Sequence, residues 1–316
     1  MAQVIRENEP LATHTVFKIG GPARFFIEVG SGKDLRAAVQ NAVERHLSWV
    51  ILGAGSNVLV SDQGFPGVVI HPVGGAVRRA GELMVADAAV SMARVVGESL
   101  AQGLCGFEWA IGIPGTIGGS VYGNAGCFGS EMKDVIEQVS VFDANRKTIV
   151  EWANEQCAFA YRSSIFKSHP EFVVLAATLR LAPGDRDEGQ KLVKEFTGRR
   201  IEAQDIGSAS AGCALKNIPW SRPDISRARL LERFPELIAF RSQPTIPAGF
   251  LIDRAGMKGR CVGQACVSVR HANYIVNRGG ATAEEVRMLM LLVKEHVRRK
   301  YGLVLEEEIR CIGFKG

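Results

Sequence analysis

At 112–126 the chain reads Gly-Ile-Pro-Gly-Thr-Ile-Gly-Gly-Ser-Val-Tyr-Gly-Asn-Ala-Gly. Six of these fifteen residues are glycine, and Tyr122 is the one aromatic side chain among them. Glycine loses more backbone entropy on folding than any other residue, so such a density marks backbone that approaches something closely or turns through positive φ. Upstream, 53–57 reads Gly-Ala-Gly-Ser-Asn. Successive backbone N–H groups in loops of this kind form anion-binding concavities. Either loop alone reads as a tight turn; the pair, with its neighbours, points to a bound anionic cofactor such as a dinucleotide. Residues 49–52 (Trp-Val-Ile-Leu) read as a buried strand entering the first loop, and 58–60 (Val-Leu-Val) as a strand leaving it. A Rossmann turn needs a helix and a third glycine there, so this loop is of another type.

A chain of 316 residues suggests two or three domains. Its 47% hydrophobic and 22% charged residues are ordinary for a globular protein. A net charge of +5 suits a phosphorylated substrate and falls short of a nucleic-acid footprint. Seven cysteines, at 105, 127, 157, 213, 261, 266 and 311, include no Cys-x-x-Cys. That pattern argues for reduced thiols rather than a disulfide framework or a zinc site, and so for a cytoplasmic protein without metal. The polar start predicts no secretory signal, and the lack of an apolar run of about 18 residues predicts no membrane span.

Hydrophobic spacing predicts helices over 31–46 (capped by Ser31), 91–102 (capped by Ser91), 188–200 and 282–300, the last opened by a Thr282/Glu285 capping box and closed by Gly302. Strands are expected at 139–142, 148–152 and 172–181, and 305–310 (Leu-Glu-Glu-Glu-Ile-Arg) also reads as a strand. Pro183-Gly184 marks a domain boundary by composition. The class is α+β.

Four further segments carry polar groups able to do chemistry: Tyr161-Arg162, 210–217 (Ser-Ala-Gly-Cys-Ala-Leu-Lys-Asn), 271–277 (His-Ala-Asn-Tyr-Ile-Val-Asn) and the carboxylates of 305–310. Singly, Arg162 reads as a surface ion pair, Cys213 as a small buried hydrophobe, His271 as a structural histidine and Glu306/Glu308 as a solvated face.

Together with 15–23 (Thr-Val-Phe-Lys-Ile-Gly-Gly-Pro-Ala), 52–57, 112–126, 255–259 and 305–313, these segments occur in an order that resembles the bacterial UDP-N-acetylenolpyruvoylglucosamine reductases (MurB) over about 15–313. The resemblance implies a two-subdomain FAD-binding module of the vanillyl-alcohol-oxidase (PCMH) type and a C-terminal α+β substrate domain. It divides the chain into 1–72 joined by 302–316, 73–185, and 195–301. FAD would be held by Gly53, Ala54, Gly55, Ser56 and Asn57 at its pyrophosphate. Pro114, Gly115, Thr116, Gly118, Gly119 and Ser120 would lie along it, and Asn124, Ala125 and Gly126 would flank the flavin.

The implied reaction is NADPH-dependent, FAD-mediated reduction of UDP-N-acetylglucosamine enolpyruvate to UDP-N-acetylmuramate in peptidoglycan precursor synthesis. Arg162 would hold the developing enolate, Glu308 would assist beside it, and Cys213 would supply the proton, at a position that is serine in many members. A thiol is a stronger acid than a hydroxyl and can serve. Lys216 and Asn217, with Arg199 and Arg200, are implied substrate-binding residues; for the arginine pair a solvated helix end is the competing reading. His271 and Asn273 are further candidates near the substrate. A monomer is expected, with no nucleic-acid or membrane partner.

Two departures stand out. Residues 218–247 exceed the usual short family loop, carry Trp220, Phe234, Phe240 and arginines 222, 227, 229, 233 and 241, and predict a short amphipathic helix over 224–234 within a surface decoration. The segment after Arg162 is short, as in the subclass without an extra substrate-closing loop. Two rival readings are a sugar or alcohol oxidase on the same FAD module, disfavoured because 112–126 lacks the histidine that often tethers FAD, and a flavin binder without turnover, disfavoured by the presence of Arg162, Cys213 and Glu308.

Overall fold

The computed structural model describes residues 4–203, 205 and 207–314. The chain forms two compact units that interleave along the sequence. The first holds residues 1–10, 22–55 and 65–202, and the second 11–21, 56–64 and 203–316. The chain crosses from one unit to the other between Gly55 and Ser56, inside the first glycine loop. These units do not part at Pro183-Gly184: Ala182–Pro183 pairs with Leu104–Cys105, and the chain passes to the second unit at the end of the helix Arg186–Ala203. Residues 302–314 lie in the second unit, where their strand Arg310–Ile312 runs parallel with Val58–Val60.

In the first unit, Pro22–Val29 pairs antiparallel with Ile5–Pro10 and parallel with Phe65–Pro72, which also takes Trp49–Ile51. The helix Gly32–Glu44 covers this sheet with Leu35, Ala38, Val39 and Ala42, and Ser31 caps it by accepting the Asp34 N–H. The other sheet is antiparallel, in the order Thr148–Ala153, Ile136–Asp143, Phe172–Arg180, Leu83–Asp87, Val77–Ala80. Along Phe172–Arg180 side chains alternate between two cores: Val173 and Leu175 join the cluster under Gly32–Glu44, while Val174, Ala177 and Leu179 join the cluster around the helix Met92–Ala101. Period-two geometry sends Val173 and Val174 to opposite cores, and a register shift between Val174 and Ala176 then turns Ala177 and Leu179 to the side of Val174.

In the second unit, the helix Ala283–Tyr301 lays Val286, Leu289, Met290, Val293 and Val297 into the core. Thr282 and Glu285 form the expected capping box, and Asp62 accepts the Ala283 N–H at 2.9 Å. The helix packs on the small sheet Cys261–Val262, Ala265–Val267, Ile275–Asn277. Three expectations are corrected here. Residues 305–309 are not a strand; only Glu307 bridges, to Leu215, and pairing resumes at Arg310. The segment 218–247 is not a surface decoration. Its helix Arg227–Arg233 forms, but Trp220, Leu237 and Ile246 are buried in the core, and Phe234 meets Tyr301 edge-on at 4.8 Å. Finally, Cys261 and Cys266, opposed across a tight hairpin, form a disulfide, so two of the seven thiols expected to be reduced are paired.

Candidate active site

In the first unit the two glycine loops touch. A Cβ on Gly53 would stand 2.9 Å from Thr116 Oγ1. Thr116 caps the seven-residue helix Ile117–Gly123, accepting the Gly119 N–H at 3.3 Å, so the middle of the glycine run is helical rather than extended. Gly55 (φ +63°), Gly112 (φ +73°) and Gly115 (φ +147°) adopt backbone that side chains disfavour. A cofactor lying along backbone fits such a surface, and at Gly53 the missing Cβ is what lets the first loop close on Thr116.

The far end of the run is built differently. Asn124 is fully buried in left-handed conformation (φ +46°). Its Nδ2 donates to Glu131 Oε2 and to the Ala160 carbonyl, each at 2.9 Å, and its Oδ1 accepts the Lys133 N–H at 3.0 Å. All the amide's capacity seen here is directed inward, so Asn124 shapes this end through the backbone it ties together. The Ala160 carbonyl it holds directly precedes Tyr161-Arg162.

Arg162 is itself left-handed (φ +52°), a conformation that in a non-glycine residue is kept only where surrounding bonds over-determine it. Its Nη2 donates to the Gly126 carbonyl at 2.8 Å, and its own carbonyl accepts from Lys167 Nζ at 2.7 Å. Lys167 also lies 5.8 Å from the Tyr122 ring centre, and Ser164 Oγ donates to the Tyr122 carbonyl. The charged groups around Arg162 thus include Lys167, which sequence reasoning missed. The signal was available: a lysine five residues after the arginine, on the short helix Ile165–Ser168.

Arg200 and Arg199 part company. Arg200 is 5% exposed, its guanidinium 5.3 Å from the Phe128 ring centre and its stem against Gly112. Arg199 is exposed and pairs with Glu195 at 2.6 Å. Phe128 stacks on Phe196 (4.8 Å, 19°) and holds positive φ. Beside it, burial pushes the Cys127 thiol up, against the opposing pull of Arg200 and Arg162.

In the second unit, the segment around Cys213 is laced between two others. Cys213 bridges Tyr274, and Leu215 bridges Glu307. The Ala214 N–H donates to the Asn273 carbonyl (2.7 Å), and the Ala214 carbonyl accepts the Glu308 N–H (2.9 Å). One peptide neighbour of Cys213 therefore connects it to Glu308. The Glu308 carbonyl in turn accepts from Asn57 Nδ2 at 3.2 Å, and the Asn57 carbonyl accepts the Arg310 N–H at 3.0 Å. Glu306 and Glu307 take other partners, Lys216 and Lys294, each at 3.2 Å.

Asn217 Oδ1 accepts the Ala248 N–H at 2.9 Å at the start of the helix Ala248–Arg254, so that oxygen holds structure. His271 Nδ1 accepts the Asn273 N–H at 3.3 Å, and the ring lies 4.6 Å from that of Tyr274. Burial, with help from the Lys258 charge, lowers the His271 pKa and favours the neutral ring. Among the described residues no group of three or more His, Cys, Asp or Glu side chains could hold a metal ion, and no helix is long and apolar enough to cross a membrane.

Comparisons with known proteins bear on the family. An FAD binding domain family matches 23–151, and the family "UDP-N-acetylenolpyruvoylglucosamine reductase, C-terminal domain" matches 204–312. The chain is 37% identical to the UDP-N-acetylenolpyruvoylglucosamine reductase of Rubrobacter xylanophilus over 97% of its own length and 94% of that protein's. It is 37% identical to the reductase of Caldanaerobacter subterraneus subsp. tengcongensis over 98% of this chain and 93% of the other. The crystal structure of the Thermus caldophilus enzyme superposes with a TM-score of 0.75 at 30% identity, covering 98% of this chain and 99% of that one. The α+β class and the FAD-binding module followed by a reductase C-terminal domain stand, and the chain belongs to the UDP-N-acetylenolpyruvoylglucosamine reductase family.

Proposed function

We propose that the protein is an FAD-dependent UDP-N-acetylmuramate dehydrogenase, reducing the enolpyruvyl ether of UDP-N-acetylglucosamine with NADPH during peptidoglycan precursor synthesis. The observation that carries this is the match over nearly the full length of relatives named for that reduction, with Arg162, Cys213 and Glu308 all present. Bound FAD would pass hydride from NADPH to the enolpyruvyl double bond.

The chain's own residues have three tasks. The first is to hold the cofactor. Gly53, Ala54 and Gly55, continuing into Ser56 and Asn57, take the pyrophosphate. Pro114, Gly115, Thr116, Gly118, Gly119 and Ser120 lie along the cofactor, and Ala125 and Gly126 stand near the ring, with Asn124 fixing their backbone. The second is to hold charge. Hydride addition leaves an enolate on the substrate carboxylate, and a fixed guanidinium at Arg162 meets it with two parallel N–H donors. Its rigid αL backbone and its bond to Gly126 support that role. The third is to deliver a proton to the carbon next to the carboxylate. Cys213 gives it, and Glu308, sharing a proton at that step, offsets the repulsion between two negative groups.

Lys216 and Asn217, and separately Arg200, are assigned to substrate binding; Arg199, exposed and ion-paired, fits the solvated helix end instead. His271, neutral, serves as a hydrogen-bonding neighbour rather than a cation. A monomer in the cytoplasm, where reduced nicotinamide nucleotide is supplied, completes the proposal.

The test is direct. The purified protein should release a yellow flavin on acid treatment and oxidise NADPH in proportion to added enolpyruvyl nucleotide. Oxygen-dependent turnover of a free sugar, or flavin without substrate-dependent NADPH oxidation, would overturn the reading.

A further inference from the structure

Asn273 is 2% exposed, on the turn that follows His271. Its side chain does what a neighbouring strand would do. Oδ1 accepts the Leu215 N–H at 3.0 Å, and Nδ2 donates to the Leu215 carbonyl at 2.7 Å. Its own carbonyl accepts the Ala214 N–H at 2.7 Å. The residue before this doubly held stretch is Cys213, whose own pairing with Tyr274 is a single bridge. Ladder pairing thus stops at Cys213; the Asn273 main-chain carbonyl then takes the Ala214 N–H, and its carboxamide takes both groups of Leu215.

The chemistry is specific to that side chain. A carboxamide presents one donor and one acceptor in a plane, as a peptide does. Aspartate would offer two acceptors and no donor, leaving the buried Leu215 carbonyl unpaired beside a buried charge. Leucine would leave both Leu215 groups unpaired. An unsatisfied buried polar group costs roughly 1–3 kcal/mol, enough for the segment to rearrange and seek other partners.

We propose that Asn273 is a positioning residue for Cys213. Both functional atoms of its amide are engaged with Leu215, so it acts through the 213–215 backbone rather than on substrate. Because the Ala214 carbonyl accepts the Glu308 N–H, the same brace fixes the register between the proton donor and Glu308. A displacement of about 1 Å in a reacting group can cost about 10²-fold in rate. The proposal rests on the reading of Cys213 as proton donor, and the experiment separates the two.

The experiment uses the FAD-loaded enzyme and the variants Asn273→Asp, Asn273→Ser and Cys213→Ala. Three quantities are followed: NADPH-to-flavin transfer, flavin-to-substrate transfer, and the rate at which iodoacetamide labels Cys213, read from its peptide by mass spectrometry. The expected result for Asn273→Asp is about a 10²-fold slower flavin-to-substrate step. NADPH-to-flavin transfer and the substrate KM should stay unchanged, and the Cys213 labelling rate should shift several-fold. On a Cys213→Ala background the same substitution should slow the reaction no further. Should Asn273→Asp fail to fold, Asn273→Ser carries the same expectation without a buried charge. Slow Cys213→Ala together with wild-type rates and labelling in the Asn273 variants would overturn the brace alone. Wild-type flavin-to-substrate transfer in Cys213→Ala would overturn the proton-donor reading, and with it the catalytic consequence of the brace. Equal slowing of both transfers in the Asn273 variants would reduce Asn273 to a general structural residue.

Discussion

The two units place their candidate functional residues with different emphasis. The first relies on unusual backbone: Gly53 pressed on Thr116, Gly115 at φ +147°, and Asn124, Phe128 and Arg162 all left-handed. The second relies on side-chain amides and carboxylates that bond ordinary backbone: Asn273 to Leu215, Asn217 to Ala248, Asn57 to Glu308, Asp62 to Ala283. Backbone that lies close to a flat cofactor has no room for side chains, so conformation itself must be the tool. A segment proposed to present a proton donor keeps its own side chain for chemistry and must be held from outside. Each unit's method follows from what its residues have to leave uncovered.

Four measurements would break or sharpen this contrast. The largest effect is expected at Cys213, where loss of a general acid removes roughly 10²–10⁴-fold in rate. Cys213→Ala should show that loss in flavin-to-substrate transfer alone, with NADPH-to-flavin transfer intact. In the first unit, Arg162→Ala should slow the same step by about 10²–10³-fold, the usual cost of removing one donor to a developing oxyanion. If its stability fell instead while its rate held, Arg162 would be a backbone device like Asn124 and the contrast within the first unit would vanish.

Next comes the segment 218–247. Leu237 is completely buried, so Leu237→Ala should lower unfolding free energy by about 2–5 kcal/mol in a denaturant titration. A loss within experimental error would return the segment to the status of a decoration.

The smallest effect is a pH dependence. His271 has its pKa lowered in the fold, chiefly by burial, so the unfolded chain binds the proton more readily. The associated stability is complete above the unfolded value near ~6.5 and is lost as pH falls toward and through the folded value. The unfolding midpoint should therefore drop more between pH 7 and pH 5 in wild type than in His271→Gln. Parallel curves would remove this histidine from the account.

Much of this was legible in the chain. Ser31, Ser91 and Thr282 cap helices at the expected residues, because a cap is a bond between neighbours three positions apart. The strands at 136–143, 148–153 and 172–180 follow local composition for the same reason. The carboxylate run 305–309 misled, since its apolar ends Leu305 and Ile309 suggest a strand while Glu306 and Glu307 are drawn to Lys216 and Lys294. The long glycine run hid the helix Ile117–Gly123, which a single Thr116 cap and local packing sustain against poor propensity. The inward-turned amides of Asn124 and Asn273 were invisible because their partners lie 36 and 58 residues away and are main-chain atoms that carry no sequence signal.

By itself, then, the amino-acid order determined the helices with their caps, the two glycine loops, the exclusion of a Rossmann turn and the family to which the motifs point. Those are short-range properties, set by backbone entropy, capping bonds and hydrophobic period. Only the tertiary structure decided that the chain divides inside the 53–57 loop, that 218–247 belongs to a core, that Cys261 and Cys266 face each other, and that a buried carboxamide holds the Cys213 segment in place. Each of these depends on which distant polar or apolar groups are left to satisfy one another once the local elements have formed.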